Sequence, residues 1–149
     1  MTSSVEYERD FYAWALHNAQ LLYEGQLSEI DRIHIAEELE SMGHRDKREL
    51  ISRLIVLITH LLKWQFQPEK RSKSWKNTLF EQRSQLQLIL EDSPSLKYQL
   101  DERVNKAYLN ALKTAMNETD LPESTFPSDC PYMLEQLLDE TFYPENLHR

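Results

Sequence analysis

The sequence predicts an all-α fold: an antiparallel up-and-down helical bundle with four long helices, a fifth helix and a C-terminal cap. The 149 residues include only two glycines, Gly25 and Gly43, and helices joined by few tight turns need little of this residue's conformational freedom. Apolar residues recur at steps of three and four rather than two, which is the helical period. Because the length suits one core, we expect residues 1–149 to form a single all-helical domain.

The two glycines predict where the first two helices end. The first helix would cover residues 3–24, beginning with a capping box formed by Ser3 and Glu6 and stopping before Gly25. The second would cover residues 28–42 and stop before Gly43. Short connections at both glycines favour antiparallel neighbours.

Prolines delimit the next three helices. The third helix would end before Pro68 and be the most buried, since its apolar residues form one stripe: Ile51, Leu54, Ile55, Ile58, Leu61 and Leu62. The fourth would follow the polar residues 69–74 and close near Ser93. Pro94 suits the first position of a fifth helix, on which Leu100, Val104, Ala107, Tyr108, Ala111 and Ala115 share a face.

The C-terminal residues 117–149 are predicted to pack as an acidic cap on the bundle. They contain eight carboxylates against Arg149, a net charge of -7. Three prolines predict a loop over residues 121–131, and a short helix would follow over about 132–138. Too many apolar residues occur here for a disordered tail. The alternative is a segment that docks on another copy or on a different protein.

Composition predicts a cytoplasmic protein that does not enter membranes. The N-terminus lacks a basic and apolar secretory signal, and the longest apolar run, Leu54 to Ile58, is far shorter than the ~20 residues of a membrane span. The single Cys130 cannot form an internal disulfide and is compatible with a reducing compartment. A net charge of -8 disfavours nonspecific binding to nucleic acid.

Several segments, in the same order along the chain, resemble a family that is common in cyanobacteria. They are Ala36-Glu37-Glu38-Leu39-Glu40-Ser41-Met42, His60-Leu61-Leu62-Lys63-Trp64-Gln65-Phe66-Gln67-Pro68, Ser74-Trp75 with Gln82-Arg83, Ser93-Pro94-Ser95-Leu96, Glu118-Thr119, Phe126-Pro127 and Cys130-Pro131. The chain is thereby identified as similar to the bacterial domain-of-unknown-function family 29. The resemblance implies an all-helical fold and no established activity, so it transfers no catalytic residue.

The sequence contains none of the common catalytic or nucleotide-binding motifs. With two glycines there is no Gly-x-x-x-x-Gly-Lys loop, no Gly-x-Gly-x-x-Gly turn and no Gly-x-Ser-x-Gly elbow. Cys130 lies in an acidic region, where negative charge raises the pKa of a thiol and disfavours a nucleophile. We therefore predict no catalytic residue and no cofactor.

His34, Glu37 and Glu38 would share one helix face, and His60 would have to complete a metal site from the next helix. If the chain turns back at Gly43, however, the axial mismatch between Glu38 and His60 is roughly 15 Å. A metal ion bound by these four side chains is therefore not expected.

The same turn would instead bring Glu37 and Glu38 level with Lys47 and Arg48. This register predicts structural ion pairs. A metal-dependent enzyme remains only a remote alternative.

The connection between the third and fourth helices combines basic and aromatic residues, a pattern typical of nucleic-acid or phosphate binding. Residues 63–76 contain five basic side chains against Glu69, a net charge of +4. The competing interpretation is that the two tryptophans pack at one end of the bundle while the lysines keep the loop soluble. The candidate ligand-binding residues are Lys63, Trp64, Arg71, Lys73, Trp75, Lys76 and, further along, Arg83.

Arg83 has two interpretations. It would be either a buried partner of a carboxylate such as Glu37 or Glu38, or an anion-binding group reached from the basic loop. The sequence does not choose between them.

The function that the sequence favours is a non-enzymatic protein-interaction module, either a homo-oligomer or the partner of another protein. No motif supplies a nucleophile, a general base and a charge-stabilising cradle together. The alternative is binding of nucleic acid or another phosphate ligand through residues 63–76.

Overall fold

The computed structural model describes residues 3–145 and the side chains of residues 5–145, and within that range it contains helices and no strand. The all-α fold class is therefore confirmed. The six α-helices of the described residues are α1 (Ser3–Arg9), α2 (Phe11–Tyr23), α3 (Arg32–Phe66), α4 (Lys73–Asp92), α5 (Leu96–Thr119) and α6 (Leu134–Leu138). Short 3-10 turns cover Pro68–Lys70 and Glu123–Thr125. None of these helices is long and apolar enough to cross a membrane.

The chain divides into two compact units, Met1–Arg45 (unit 1) and Asp46–Arg149 (unit 2). Unit 1 contains α1, α2 and the first part of α3, and unit 2 contains the rest of α3 with α4, α5 and α6. The single-domain organisation stays a prediction. Each unit has its own candidate surface.

Gly43 does not end a helix, so the predicted turn at this residue is wrong. The predicted second and third helices are one 35-residue helix, α3, and Gly43 lies inside it. A methyl group added to Gly43 would meet no atom within 4 Å, so close packing does not demand glycine here. Glycine inside a helix costs only about 1 kcal/mol relative to alanine, and the residues on both sides favour helix strongly enough to continue through it.

The predicted first helix is instead two helices, separated at Asp10. The backbone of Asp10 has a φ of -150°, and its carboxylate accepts a hydrogen bond of 3.1 Å from the Ala13 N–H. This side-chain cap satisfies one of the free N–H groups that begin α2. The proposed capping contact of Ser3 involves a side chain outside the described residues.

The core lies in unit 2 and is built mainly from leucines. Pro68 follows the end of α3, as predicted. α5 begins at Leu96 with Ser95 as its N-cap, so Pro94 lies two residues before the helix and not at its first position. The Ser72 hydroxyl accepts the Trp75 N–H at the start of α4. The fully buried leucines and isoleucine are Leu50, Leu54, Leu57, Ile58, Leu61, Leu62, Leu79, Leu86, Leu100 and Leu137. At about 2 kcal/mol for each large side chain removed from water, this cluster dominates the stability of unit 2.

Residues after α5 pack on the same core. Phe126, Tyr132 and Leu137 are buried, and the Tyr132 hydroxyl donates a hydrogen bond of 2.8 Å to Gln65 Oε1 on α3. The Tyr108 hydroxyl on α5 donates to the Pro127 carbonyl. These contacts fasten the C-terminal segment to α3 and α5.

Candidate functional site

Unit 1 contains a hydrogen-bonded polar cluster centred on Asp31, just before α3. The Asp31 carboxylate accepts hydrogen bonds from Trp14 Nε1 (2.9 Å) and His34 Nδ1 (2.7 Å), and the Asp31 N–H donates to Asn18 Oδ1 (2.8 Å). Its side chain is only 8% exposed. Burial alone would raise the pKa of Asp31, but the hydrogen bonds from His34 and Trp14 outweigh it and lower that pKa. The cluster connects α2 to the start of α3.

Tyr7 attaches α1 to the same cluster. Its hydroxyl donates a hydrogen bond to Glu38, and its ring stacks on His34 with the centroids 4.0 Å apart. The hydrogen bond to Glu38, together with burial and nearby carboxylates, raises the pKa of Tyr7 to about 12. His34 and Glu38 are thus engaged in holding α1 against α3. No group of three or more metal-ligating side chains is found among the described residues.

The predicted ion pairs between Glu37 or Glu38 and Lys47 or Arg48 depended on the turn at Gly43. Because α3 continues through that residue, the antiparallel register that paired them does not exist. None of the four takes part in an ion pair among the described residues.

His60 occupies an ordinary structural position. Its Nδ1 lies 3.0 Å from the Val56 carbonyl on the preceding turn of α3. Burial lowers the pKa of this histidine, so the neutral ring is favoured. A neutral Nδ1–H donating to that carbonyl accounts for the geometry.

Unit 1 has an exposed apolar groove between α2 and α3, which we call the α2–α3 groove. It encloses about 490 Å³ and is lined by Phe11, Trp14, Ala15, Asn18, Ala19, Leu22, Ile35, Glu38, Leu39, Met42 and Arg45. Phe11, Leu39 and Met42 are 51%, 62% and 52% exposed. This groove was not predicted, although the helical spacing of Phe11, Ala15 and Leu22 in the sequence was the available signal.

Three of the predicted basic residues line a second cavity, which lies in unit 2. It encloses about 560 Å³ and is lined by Trp64, Arg71, Ser72, Lys73 and Lys76, so we call it the basic cavity. Arg71 Nε donates a hydrogen bond of 2.8 Å to the Trp64 carbonyl, and its guanidinium carbon lies 4.9 Å from the centre of the Trp64 ring. Lys76 Nζ lies 5.9 Å from the same ring. The structure therefore brings four of the seven candidate residues together.

Lys63 and Trp75 lie outside this lining. Lys63 Nζ forms an ion pair of 2.9 Å with Glu118 and sits 5.0 Å from the centre of the Trp75 ring. The charge of Lys63 is thus compensated within the protein. Trp75 is half-buried and packs against the core, the role that the competing interpretation assigned to it.

Arg83 has a role that neither interpretation foresaw. It is 1% exposed, and its guanidinium donates to the carbonyls of Leu137 (2.8 Å), Phe142 (2.9 Å) and Gln136 (3.1 Å). Burial lowers its pKa from the usual arginine value. Arg83 is a buried anchor for the C-terminal segment, and it does not join the lining of the basic cavity.

Cys130 is half-buried, and its thiol lies 3.5 Å from the Tyr132 carbonyl. Burial raises the pKa of this thiol. The neutral thiol, a weak nucleophile, is the form that this environment favours.

The sequence matches the family described as "Domain of unknown function DUF29" over residues 6–143. This match covers nearly the whole chain, and the chain belongs to that family. No curated protein and no solved structure matches it.

Proposed function

For this member of a family of unknown function, we propose a non-enzymatic role as a protein-interaction module that self-associates through the α2–α3 groove. Exposed apolar surface is the observation that carries the proposal. Among the described residues, fifteen large apolar side chains are exposed, and ten of them lie between Val5 and Met42 in unit 1. Four of these ten, Phe11, Leu22, Leu39 and Met42, line the groove together. A contiguous apolar surface of this kind is typical of a protein-binding site.

A second copy of the chain is the occupant that this groove favours. α2 and the first part of α3 leave the apolar groove between them uncovered, and a helical unit commonly buries its apolar face by packing a second layer on it. In an interface with two-fold symmetry, the same surface of both copies is in contact and the two copies run in opposite directions. The same groove on another copy would therefore supply the second layer, with α2 and the first part of α3 from each copy.

Charge at the groove is compatible with this self-pairing. The lining contains one carboxylate, Glu38, and one guanidinium, Arg45, about two helical turns apart on α3. When two copies pack in opposite directions, Arg45 of each can approach Glu38 of the other. Opposite charges at a rim contribute to orientation and specificity more than to affinity.

We also propose that the protein acts in the cytoplasm. The single cysteine of the sequence supports this location, since chains of oxidising compartments commonly use disulfides. Labelling the chain in its native cell and fractionating that cell tests the location.

The test is sedimentation velocity of the whole chain over a concentration series, comparing the wild type with Leu39→Glu. Leu39 is 62% exposed and lines the groove, so the substitution leaves the packing within unit 1 intact but places a charge in the proposed interface. We expect a wild-type species of twice the 17.8 kDa chain mass at high concentration. For Leu39→Glu we expect association at least about tenfold weaker.

Leu88→Glu is the matched control, because Leu88 is 54% exposed on α4 in unit 2. It should associate like the wild type. A wild-type chain that stays at 17.8 kDa throughout the series would contradict the proposal. Equal weakening by Leu39→Glu and Leu88→Glu would contradict the placement of the interface in the groove.

A further inference from the structure

The basic cavity of unit 2 carries positive charge that the protein does not neutralise. Arg71, Lys73 and Lys76 line it, and none of them forms an ion pair within residues 5–145. No carboxylate is part of the lining. By contrast, the charge of the neighbouring Lys63 is neutralised by its ion pair with Glu118.

Two of these cations are held in place by Trp64. The Arg71 guanidinium is fixed at one end by its Nε hydrogen bond to the Trp64 carbonyl and along its plane by the Trp64 ring. Its two terminal nitrogens have no hydrogen-bond partner in the described part of the chain and remain as donors. Lys76 Nζ lies 5.9 Å from both the Trp64 and Tyr143 rings, which places it beside the same cavity.

We propose that the basic cavity binds the phosphate group of a small phosphorylated ligand. A guanidinium presents paired donors that match two phosphate oxygens, while ammonium groups add point charge. The Ser72 hydroxyl accepts the Trp75 N–H, so its own proton is available for a third phosphate oxygen. The site thus combines a prearranged guanidinium, the ammonium groups of Lys73 and Lys76, and a neutral hydroxyl donor.

The same structure disfavours nucleic acid as the ligand. Single-stranded nucleic acids bind by stacking bases on exposed aromatic rings, whereas Trp64 is 8% exposed and already contacts Arg71, Lys76 and Tyr143. Residues 63–76 carry +4 of a chain whose total is -8, so the remaining residues carry -12. That negative charge would repel a long polyanion. A single phosphate group would interact mainly with the positive charges of the cavity.

Titration of the full chain with inorganic pyrophosphate, followed residue by residue in ¹H–¹⁵N NMR spectra, tests the proposal. Sodium chloride at matched ionic strength removes the general salt effect. We expect saturable shifts at the Trp64 and Arg71 to Lys76 amides. The double variant Lys73→Gln with Lys76→Gln should bind at least about tenfold more weakly, because charge-assisted hydrogen bonds supply most of the affinity.

Lys113→Gln is the control, since it removes an exposed lysine of α5 that does not line the cavity, and it should change the affinity less than about twofold. All three substituted lysines are exposed, and unchanged spectra outside the cavity will verify folding. Absent or non-saturable shifts at the cavity amides in the wild type would overturn the proposal. So would equal losses in the double variant and Lys113→Gln, or far tighter binding of a single-stranded oligonucleotide than of pyrophosphate.

Discussion

Arg83 illustrates how a single buried side chain fixes a whole segment. Its three guanidinium nitrogens donate to carbonyls that lie 53 to 59 residues later in the chain. These carbonyls belong to α6 and the residues after it, where few backbone groups are paired within a helix. One arginine therefore satisfies polar groups that the C-terminal segment would otherwise bury without partners.

Arg83→Met tests this anchoring role. Methionine keeps most of the apolar volume but leaves three buried carbonyls unpaired, so we expect a loss of about 3 kcal/mol in the free energy of unfolding. Urea unfolding followed by circular dichroism measures it. The control Arg53→Met removes a partly exposed ion pair with Glu49 and should cost less than about 1 kcal/mol. Similar losses in both variants would contradict the anchoring role.

The lowered pKa of Asp31 predicts how the stability of unit 1 depends on pH. Its pKa is lowered in the folded state by hydrogen bonds from His34 and Trp14, against the opposing effect of burial. A carboxyl group with a lowered folded pKa contributes stability above its unfolded pKa of about 4 and loses it as the pH falls through the folded value. Asp31 in turn acts with Glu37 and Glu38 on Tyr7, whose pKa these carboxylates help to raise.

The comparison of wild type with Asp31→Asn isolates this contribution. The asparagine variant should be less stable at pH 6, because an amide accepts the Trp14 and His34 hydrogen bonds more weakly than a carboxylate. The difference in thermal unfolding, followed by the Trp14 indole NMR signal, should shrink as the pH is lowered from 6 towards 3. A difference that stays constant over this range would contradict the assignment.

The sequence predicted correctly only those site residues that lie close together along the chain. The lining of the basic cavity comes from the end of α3, the start of α4 and the short connection between them. These residues are close in sequence, and they are therefore also close in space. The role of Arg83 was not predictable, because backbone carbonyls more than fifty residues away leave no side-chain signature.

At the scale of helices, the two glycines have opposite roles. Gly25 follows α2 with a φ of 71°, a left-handed conformation that favours glycine, and its N–H and that of Gln26 close the helix by bonding to Leu22 and Leu21 carbonyls. Gly43 lies inside α3 with free space around it. Only Gly25 performs the turn that the sequence assigned to both.

Alanine at each position distinguishes the two roles. Gly43→Ala should raise the free energy of unfolding by about 0.5–1 kcal/mol, because alanine loses less backbone entropy in a helix. Gly25→Ala should lower it by about 1 kcal/mol or more, because alanine is strained at positive φ. Urea unfolding curves measure both. Destabilisation by Gly43→Ala would indicate a turn at residue 43 and contradict the continuous α3.

The strength of each stop signal explains which helix ends were predictable. Pro68 and Pro94 cost about 3 kcal/mol inside a helix, and helices do end before or begin after them. Glycine costs about a third as much, and the apolar and charged helix formers around Gly43 outweigh it. The break at Asp10 went unpredicted because an aspartate serves as either a helix cap or an ordinary helical residue.

Across the molecule, apolar surface and charge are distributed unequally between the units. Unit 2 buries the leucine core and holds the basic cavity, while unit 1 carries most of the exposed apolar side chains of the described residues. Unit 1 buries Trp14 but leaves Phe11, Leu39 and Met42 at least half exposed. An apolar layer of this kind gains stability when a partner removes it from water.

The partner that we propose for the α2–α3 groove is a second copy of the chain. Isotope-filtered NOE spectra of an equal mixture of methyl-labelled and unlabelled chains test this pairing, because only contacts between copies give a signal. We expect intermolecular NOEs to the Leu39 and Met42 methyl groups, including from the ring of Phe11. Intermolecular NOEs confined to methyl groups of unit 2, or none at concentrations that saturate any association, would contradict the claim.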